Sequence, residues 1–211
     1  MDFLRARTQE QIASRQEEII NACDVLFSAN GYEAVNFKAI SEMTLLTRPS
    51  IYNYYKTKDE VLLDLLKREM LHWQTCFISA VDANAEMTKE QYSTCLTEVL
   101  SSHDKMLKLL SILFTFLEKN SGVEKLADFK KEVMKVFDIV MASLDKYFSN
   151  ATVENKAIFV SAFFAYIIGL YPLSHLSQKQ LEAMQRAGID FTAPDFQHMC
   201  YRGILLLLSE L

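Results

Sequence analysis

Asn36–Glu60 reads NFKAISEMTLLTRPSIYNYYKTKDE. It holds two short helical patterns a few residues apart, and a longer helix opens at its end. Asn36 stands where an N-cap belongs, its side-chain oxygen free to accept from the first turn, and Ile40 and Met43 give that pattern its apolar side. The second pattern, Thr47–Tyr55, opens at Thr47-Arg48-Pro49. Proline is tolerated in a first helical turn because those N–H groups have no carbonyl partner. Pro49 also pushes the residue before it towards an extended backbone, so the second helix is expected to begin at Pro49 with Arg48 as its cap. Thr57 and Glu60 then have the spacing of a capping box. Two short helices joined by a tight turn, with polar residues opening the second, make a helix-turn-helix. That geometry lays the second helix in a DNA major groove while the first crosses the backbone.

Charge narrows how such DNA binding would work. The chain has 211 residues and a formal charge of −5, which is not the footprint of a protein that coats nucleic acid nonspecifically. In the first sixty residues seven Lys/Arg face nine Asp/Glu. Four of the seven cations, Lys38, Arg48, Lys56 and Lys58, fall within the helix-turn-helix stretch, so binding must rest on that local cluster. The composition, 50% hydrophobic with only 5 Gly and 3 Pro, favours helices over turn-rich β structure.

The same stretch carries a family resemblance. Gly31-Tyr32, Ile40-Ser41, Ser50-Ile51-Tyr52-Asn53-Tyr54-Tyr55 and Lys58-Asp59-Glu60-Val61-Leu62 resemble the ordered signature of TetR-family transcriptional repressors over Arg15 to Leu66. Two positions depart from it: Leu45 replaces the usual glycine of the turn, and Pro49 a small residue. The resemblance implies an all-α fold of nine to ten helices. An N-terminal three-helix helix-turn-helix domain (residues 1–60) would be followed by a helical ligand-binding and dimerisation domain (61–211), linked by a fourth helix over 58–81. It also implies phosphate contacts at Tyr54 and Lys58, and a dimer bundle made from the last two long helices.

Outside the central stretch the periodicity is helical throughout. A first helix over Thr8–Asn30 ends at Gly31, where a left-handed cap residue is wanted. Thr88 with Gln91 opens a helix to about Ser102; His103–Lys119 is apolar nearly all round and reads as one interior helix. Val123–Phe148 is amphipathic, Thr152–Leu173 is apolar on most sides with Pro172 limiting its end, Gln178–Arg186 is short and polar, and Pro194 starts the last helix. The helices over 152–173 and 194–211 carry more apolar surface than one core hides, which favours a two-fold homodimer presenting two recognition helices to a palindromic operator. Ile158–Leu173 is shorter than the roughly 20 residues that span a bilayer, and Met1–Glu18 is mostly polar, so neither a membrane span nor a signal peptide is expected and the location is cytoplasmic.

The residues expected to touch double-stranded DNA are Asn36, Lys38, Thr47, Arg48, Ser50, Tyr52, Asn53, Tyr54, Lys56 and Lys58. Arg48 has the fork that reads a guanine edge, Ser50 and Asn53 can bond bases or phosphate, and the N-terminus at Asn36 offers free N–H groups to a phosphate. Tyr52 packs its helix, with its hydroxyl available to phosphate. For a small apolar or aromatic inducer, the aromatic and histidine residues Trp73, Phe77, His103, Phe114, Phe137, Phe163, Tyr166 and His175 are the candidate lining. Cys23, Cys76, Cys95 and Cys200 show no zinc-like pair spacing and read as buried free thiols. The four histidines, at 72, 103, 175 and 198, are scattered. No catalytic motif is visible, and neither a metal, a cofactor nor enzymatic activity is expected. The rival reading is an all-helical interaction adaptor that binds no specific DNA, which the acidic charge mildly favours.

Overall fold

Every regular element is helical in the computed structural model, which describes residues 8–211. The first seven residues, assigned above to the first domain, lie outside the described residues. Ten α-helices are present among the described residues, and they pack as two compact units. The first unit joins the chain up to Arg68 to Ile112–Lys131; the second is made of Glu69–Ser111 and Glu132–Leu211. The segment Ile112–Lys131, placed in the second domain by its sequence position, therefore packs in the first unit.

In the first unit, α1 (Gln9–Asn30) opens with a reciprocal capping box between Thr8 and Gln11. It closes at Gly31, whose φ of 74° is open to a residue without Cβ and whose N–H reaches the Phe27 carbonyl at 2.8 Å. A 3-10 turn, Tyr32–Ala34, leads to α2 (Phe37–Met43), where the Asn36 side chain accepts from the Ala39 N–H at 3.0 Å. Next come α3 (Arg48–Ile51) and α4 (Lys58–Asp82), the latter continuing from the first unit into the second. The core is Ile19, Cys23, Phe27, Phe37, Ile40, Ile51, Tyr55, Val61, Leu62 and Leu65, all buried. Tyr55 spends its hydroxyl on Asp64 at 2.7 Å, and the Lys125 ammonium pairs with the same carboxylate.

Two local expectations are corrected here. The recognition helix begins at Arg48, not Pro49, because Thr47 caps it: the Thr47 hydroxyl accepts from the Ser50 N–H at 3.3 Å, and its carbonyl from the Ile51 N–H at 3.1 Å. Pro49 then lies in the first turn, where its missing N–H costs nothing. Thr57 accepts from the Glu60 N–H at 3.2 Å as a cap should, but Glu60 does not return to Thr57. Its buried carboxylate accepts from the Lys56 N–H at 2.6 Å and the Gly122 N–H at 3.1 Å, joining the start of α4 to a distant loop.

His103–Lys119 is not one helix. After α6 (Asp104–Leu110), Ile112 takes φ −110° and ψ 4°, and a π-helical turn follows over Leu113–Leu117. Phe114 is 59% exposed there, and the Phe116 ring packs tilted against Tyr32, centroids 4.8 Å apart, within the first unit. The apolar residues that suggested an interior helix are thus divided between the two units.

In the second unit, α5 (Lys89–Ser101) opens with the Thr88–Gln91 box. α7 (Val123–Tyr147) enters from the first unit, followed by α8 (Val153–Ser174), α9 (Gln178–Arg186) and α10 (Phe196–Leu207). α10 packs on α5 and α8, and α8 on α6. Pro172 lies inside α8, which runs on to Ser174, while Pro194 precedes α10 without starting it: Asp195 is the cap, accepting from the His198 N–H at 2.7 Å. Buried Lys156 is paired with Asp145 at 2.7 Å, and buried Tyr92 bonds Ser143 at 2.7 Å. At 22 residues α8 is long and apolar enough to cross a bilayer by length and composition, beyond the shorter Ile158–Leu173 stretch.

Candidate nucleic-acid interface

The turn between α2 and α3 is closed by side chains. The Thr44 hydroxyl donates to the Ile40 carbonyl at 3.0 Å and accepts from the Leu46 N–H at 3.3 Å. The Leu45 N–H goes to the Glu18 carboxylate at 2.8 Å, and Leu45 itself is 82% exposed. No residue other than glycine has positive φ among the described residues, so leucine fits this turn without strain.

Beside the turn lies an open depression of about 290 Å³, lined by Asn36, Phe37, Lys38, Arg48, Tyr52, Lys56, Thr57 and Lys58. Six of the ten expected DNA contacts meet in it, and Lys38, Arg48 and Lys56 are exposed. The Lys38 ammonium is 3.9 Å from Glu42, an exposed pair that solvent screens. Tyr52 packs edge-on to Phe37 at 4.8 Å, which fixes α3 against α2. Lys58 is different: its ammonium donates to the Tyr32 carbonyl at 3.1 Å and sits 3.7 Å over the Tyr32 ring. The Tyr32 hydroxyl donates to Asp59 at 2.9 Å, and desolvation, then Asp59, raises its pKa to about 12. Lys58 is thus a clasp between the end of α1 and the start of α4 as well as a cation at the groove.

The remaining four contacts lie outside the depression. Thr47 and Ser50 bond each other through their hydroxyls at 2.9 Å, exposed Asn53 is in the turn after α3, and half-buried Tyr54 closes that turn with its N–H on the Ile51 carbonyl at 2.9 Å. Sequence reasoning missed Phe37 and Thr57 as lining residues and Glu18 as the support of the turn. Nothing in the spacing of Glu18 and Leu45, 27 residues apart, signals their contact.

In the second unit, Trp73 and Phe163 line an apolar cavity of about 20 Å³ with Met70, Leu100, Met106, Leu110, Val136, Phe164 and Ile167. The buried Trp73 indole N–H has no hydrogen-bond partner among the described residues. Phe77 stacks on Trp73 at 5.1 Å and Phe137 on Phe164 at 4.5 Å, and neither is among the lining residues. Tyr166 donates to the Met199 carbonyl at 2.7 Å across a bare Gly203, and His175 stacks on Tyr171 at 4.1 Å. Buried His103 has Nδ1 2.7 Å from the Val99 carbonyl. Phe114 belongs to the first unit, where the Lys130 ammonium lies 5.6 Å over its ring. All four cysteines are free; Cys23 and Cys200 are buried as expected, but Cys76 and Cys95 are half-buried.

Residues 19–65 match the family described as bacterial regulatory proteins, tetR family, and residues 67–209 match the tetracyclin repressor-like C-terminal domain. The chain belongs to the TetR family. Its N-terminal residues are the family's helix-turn-helix DNA-binding domain, and α2 and α3 are the two helices of that motif. Over 63 residues the chain is 30% identical to the Transposon Tn10 TetC protein of Escherichia coli, a match covering 30% of this chain and about a third (32%) of that one. Among solved structures, it is similar to the fatty acid degradation regulator FadR of Bacillus halodurans, with TM-score 0.59 and 14% identity over 98% of each chain. It is also similar to FadR of Bacillus subtilis in complex with stearoyl-CoA, with TM-score 0.52 and 17% identity over 92% of this chain and 98% of that one. At such identities the likeness is one of fold.

Proposed function

We propose that this TetR-family regulator is a cytoplasmic homodimeric repressor, released from a palindromic operator when an apolar ligand enters its second unit. The observation that carries the DNA reading is the groove at α2 and α3, where three exposed cations and a capped helix start face one opening. Arg48 is the base-reading residue, and Lys38, Lys56 and the Asn36 N-terminus hold phosphate. Ser50, Asn53, Tyr54 and the Lys58 clasp set the register around them.

The dimer reading is supported by surface chemistry. Only 33% of the most apolar stretch of α8 is buried; Val153 is 78% exposed, and on α10 Leu206 is 72% exposed. Along one face of α8, Ile158, Ser161, Ala165 and Gly169 are exposed, a stripe small enough for a second helix to approach closely. A two-fold pairing through α8 and α10 covers these residues and places two recognition helices on one duplex.

The ligand reading is supported by the wholly apolar cavity at Trp73 and Phe163. At about 20 Å³ it is far below the roughly 300 Å³ of a small-molecule site, so an occupant must select a more open state. The complex of the similar B. subtilis FadR with stearoyl-CoA makes a long acyl chain the first ligand class to try. The open state would displace α4 and alter the spacing of the recognition helices, so that both half-sites cannot be filled. An electrophoretic shift with DNA upstream of the protein's own gene tests the reading. Sequence-specific, salt-sensitive retardation that acyl-CoA relieves supports it, whereas no shift at low salt favours the adaptor. Tight ligand binding that leaves operator affinity unchanged excludes that ligand as inducer.

A further inference from the structure

The fold brings together three side chains that are scattered in the sequence. His72 and Cys76 are four residues apart on α4 and therefore share a face. His103 comes from the corner between α5 and α6. One ring nitrogen of each histidine and the Cys76 sulfur all lie within 4.8 Å of one another. His103 is buried, Cys76 half-buried and His72 exposed; all three belong to the second unit, and none of them is among the lining residues of the DNA groove or of the apolar cavity.

We propose that His72, Cys76 and His103 bind one zinc-type transition-metal ion. Two imidazoles and a thiolate are the donor set of open, borderline-soft sites, with the fourth tetrahedral position left to water or an exogenous ligand. The spacing fits. His103 Nε2 and His72 Nδ1 are 3.2 Å apart. Two nitrogens each about 2.05 Å from a tetrahedral zinc are about 3.3 Å apart, so the imidazole pair is already at ligand separation. The Cys76 sulfur, within 4.8 Å of both nitrogens, has to draw in to the separation of about 3.6 Å that a Zn–S bond of about 2.3 Å sets.

The surroundings hold His103 in the tautomer a ligand needs. The Val99 carbonyl can only accept, so at 2.7 Å it fixes the proton on His103 Nδ1 and leaves the Nε2 lone pair towards His72. The Ser102 hydroxyl lies 3.0 Å from the same Nδ1 and donates to the same carbonyl. Without an ion, His72 Nδ1–H donates to His103 Nε2; on binding, His72 carries its proton on Nε2 instead, and the Cys76 thiol releases its proton to solvent. One proton leaves per ion bound. Lys105, two residues beyond His103, is held by Glu69 at 3.3 Å, which compensates a nearby positive charge.

An ion here ties α4 to the α5–α6 corner. If α4 moves as proposed above, the ion opposes that movement, but metal binding itself does not depend on that reading. Titration of the full-length protein with Co(II), read by absorption, tests the site without DNA or inducer. The expected result is a thiolate-to-cobalt charge-transfer band and intense tetrahedral d–d bands that saturate at one ion per chain and are displaced by Zn(II). Cys76→Ser should abolish the charge-transfer band, and exposed His72→Ala should weaken binding at least about tenfold, with unchanged helicity by circular dichroism. Zn(II) should also protect Cys76 from alkylation in the parent protein but not in His72→Ala. Absence of the bands, or bands that persist in both variants, overturns the assignment.

Discussion

The Glu18 carboxylate on α1 accepts the Leu45 N–H at 2.8 Å, so the first helix holds the tip of the turn that joins the two DNA-binding helices. Arg15 steadies Glu18 from the other side at 2.7 Å. Glu18→Ala should cost about 1 kcal/mol in urea unfolding, the size of one charge-assisted bond at a partly exposed site, and should weaken operator binding. Glu18→Gln keeps an acceptor and should lose less of both.

Leu45→Gly restores the residue usual at this point of the family. Because Leu45 has no positive φ to relieve, the change should not stabilise the protein. It should lower stability by roughly 0.5 kcal/mol through the freer unfolded chain, measured by thermal or urea denaturation.

Glu60 accepts two backbone N–H groups, of Lys56 and Gly122. Glu60→Ala leaves both without that acceptor and should cost about 2 kcal/mol, while Glu60→Gln, with one carbonyl oxygen, should fall between. Equal stability of all three proteins would remove the joint from the description of the first unit.

A Cβ on Gly203 would stand 2.3 Å from the Tyr166 ring. Gly203→Ala should therefore destabilise by about 1–3 kcal/mol, through displacement of the ring and loss of its bond to Met199. In the Gly203→Ala/Tyr166→Ala double variant the clash is gone, so the two costs should be clearly less than additive.

Burial raises the Cys23 thiol to about 12 and the Cys200 thiol to about 11. At pH 8 a thiol reagent should modify only half-buried Cys76 and Cys95 in the folded protein, reaching Cys23 and Cys200 after unfolding. The two buried thiols hold their protons more tightly folded than unfolded. Their contribution to stability is therefore complete below pH 9 and is lost as the pH rises towards 11 and 12, which unfolding free energies across that range would show.

Local signals were legible in the sequence where a residue and its partner are neighbours. The Asn36 and Thr88 caps, the Gly31 terminus and the bounds of α4 and α9 all depend on contacts within a turn or two. The start of α3 misled because the local bias of Pro49 on Arg48 was overridden by the Thr47 cap. Hydrophobic pattern alone could not show that Leu113 and Phe114 leave the helix before them, since the apolar run is divided between two units only in the fold. Contacts between distant segments, Glu18 with Leu45 or His72 with His103, have no periodic signal at all.

The most direct test of the DNA interface is the salt dependence of operator binding, followed by fluorescence anisotropy on the protein's own upstream DNA. The parent protein should bind with a steep fall in log K against log salt. Lys38→Ala and Lys56→Ala should each flatten that slope by about 0.9, as one lost phosphate contact does, and weaken binding to all sequences alike. Arg48→Ala should instead relax the preference for operator over unrelated DNA. Unchanged slopes in both lysine variants, with selectivity intact in Arg48→Ala, would contradict a DNA interface at α2 and α3.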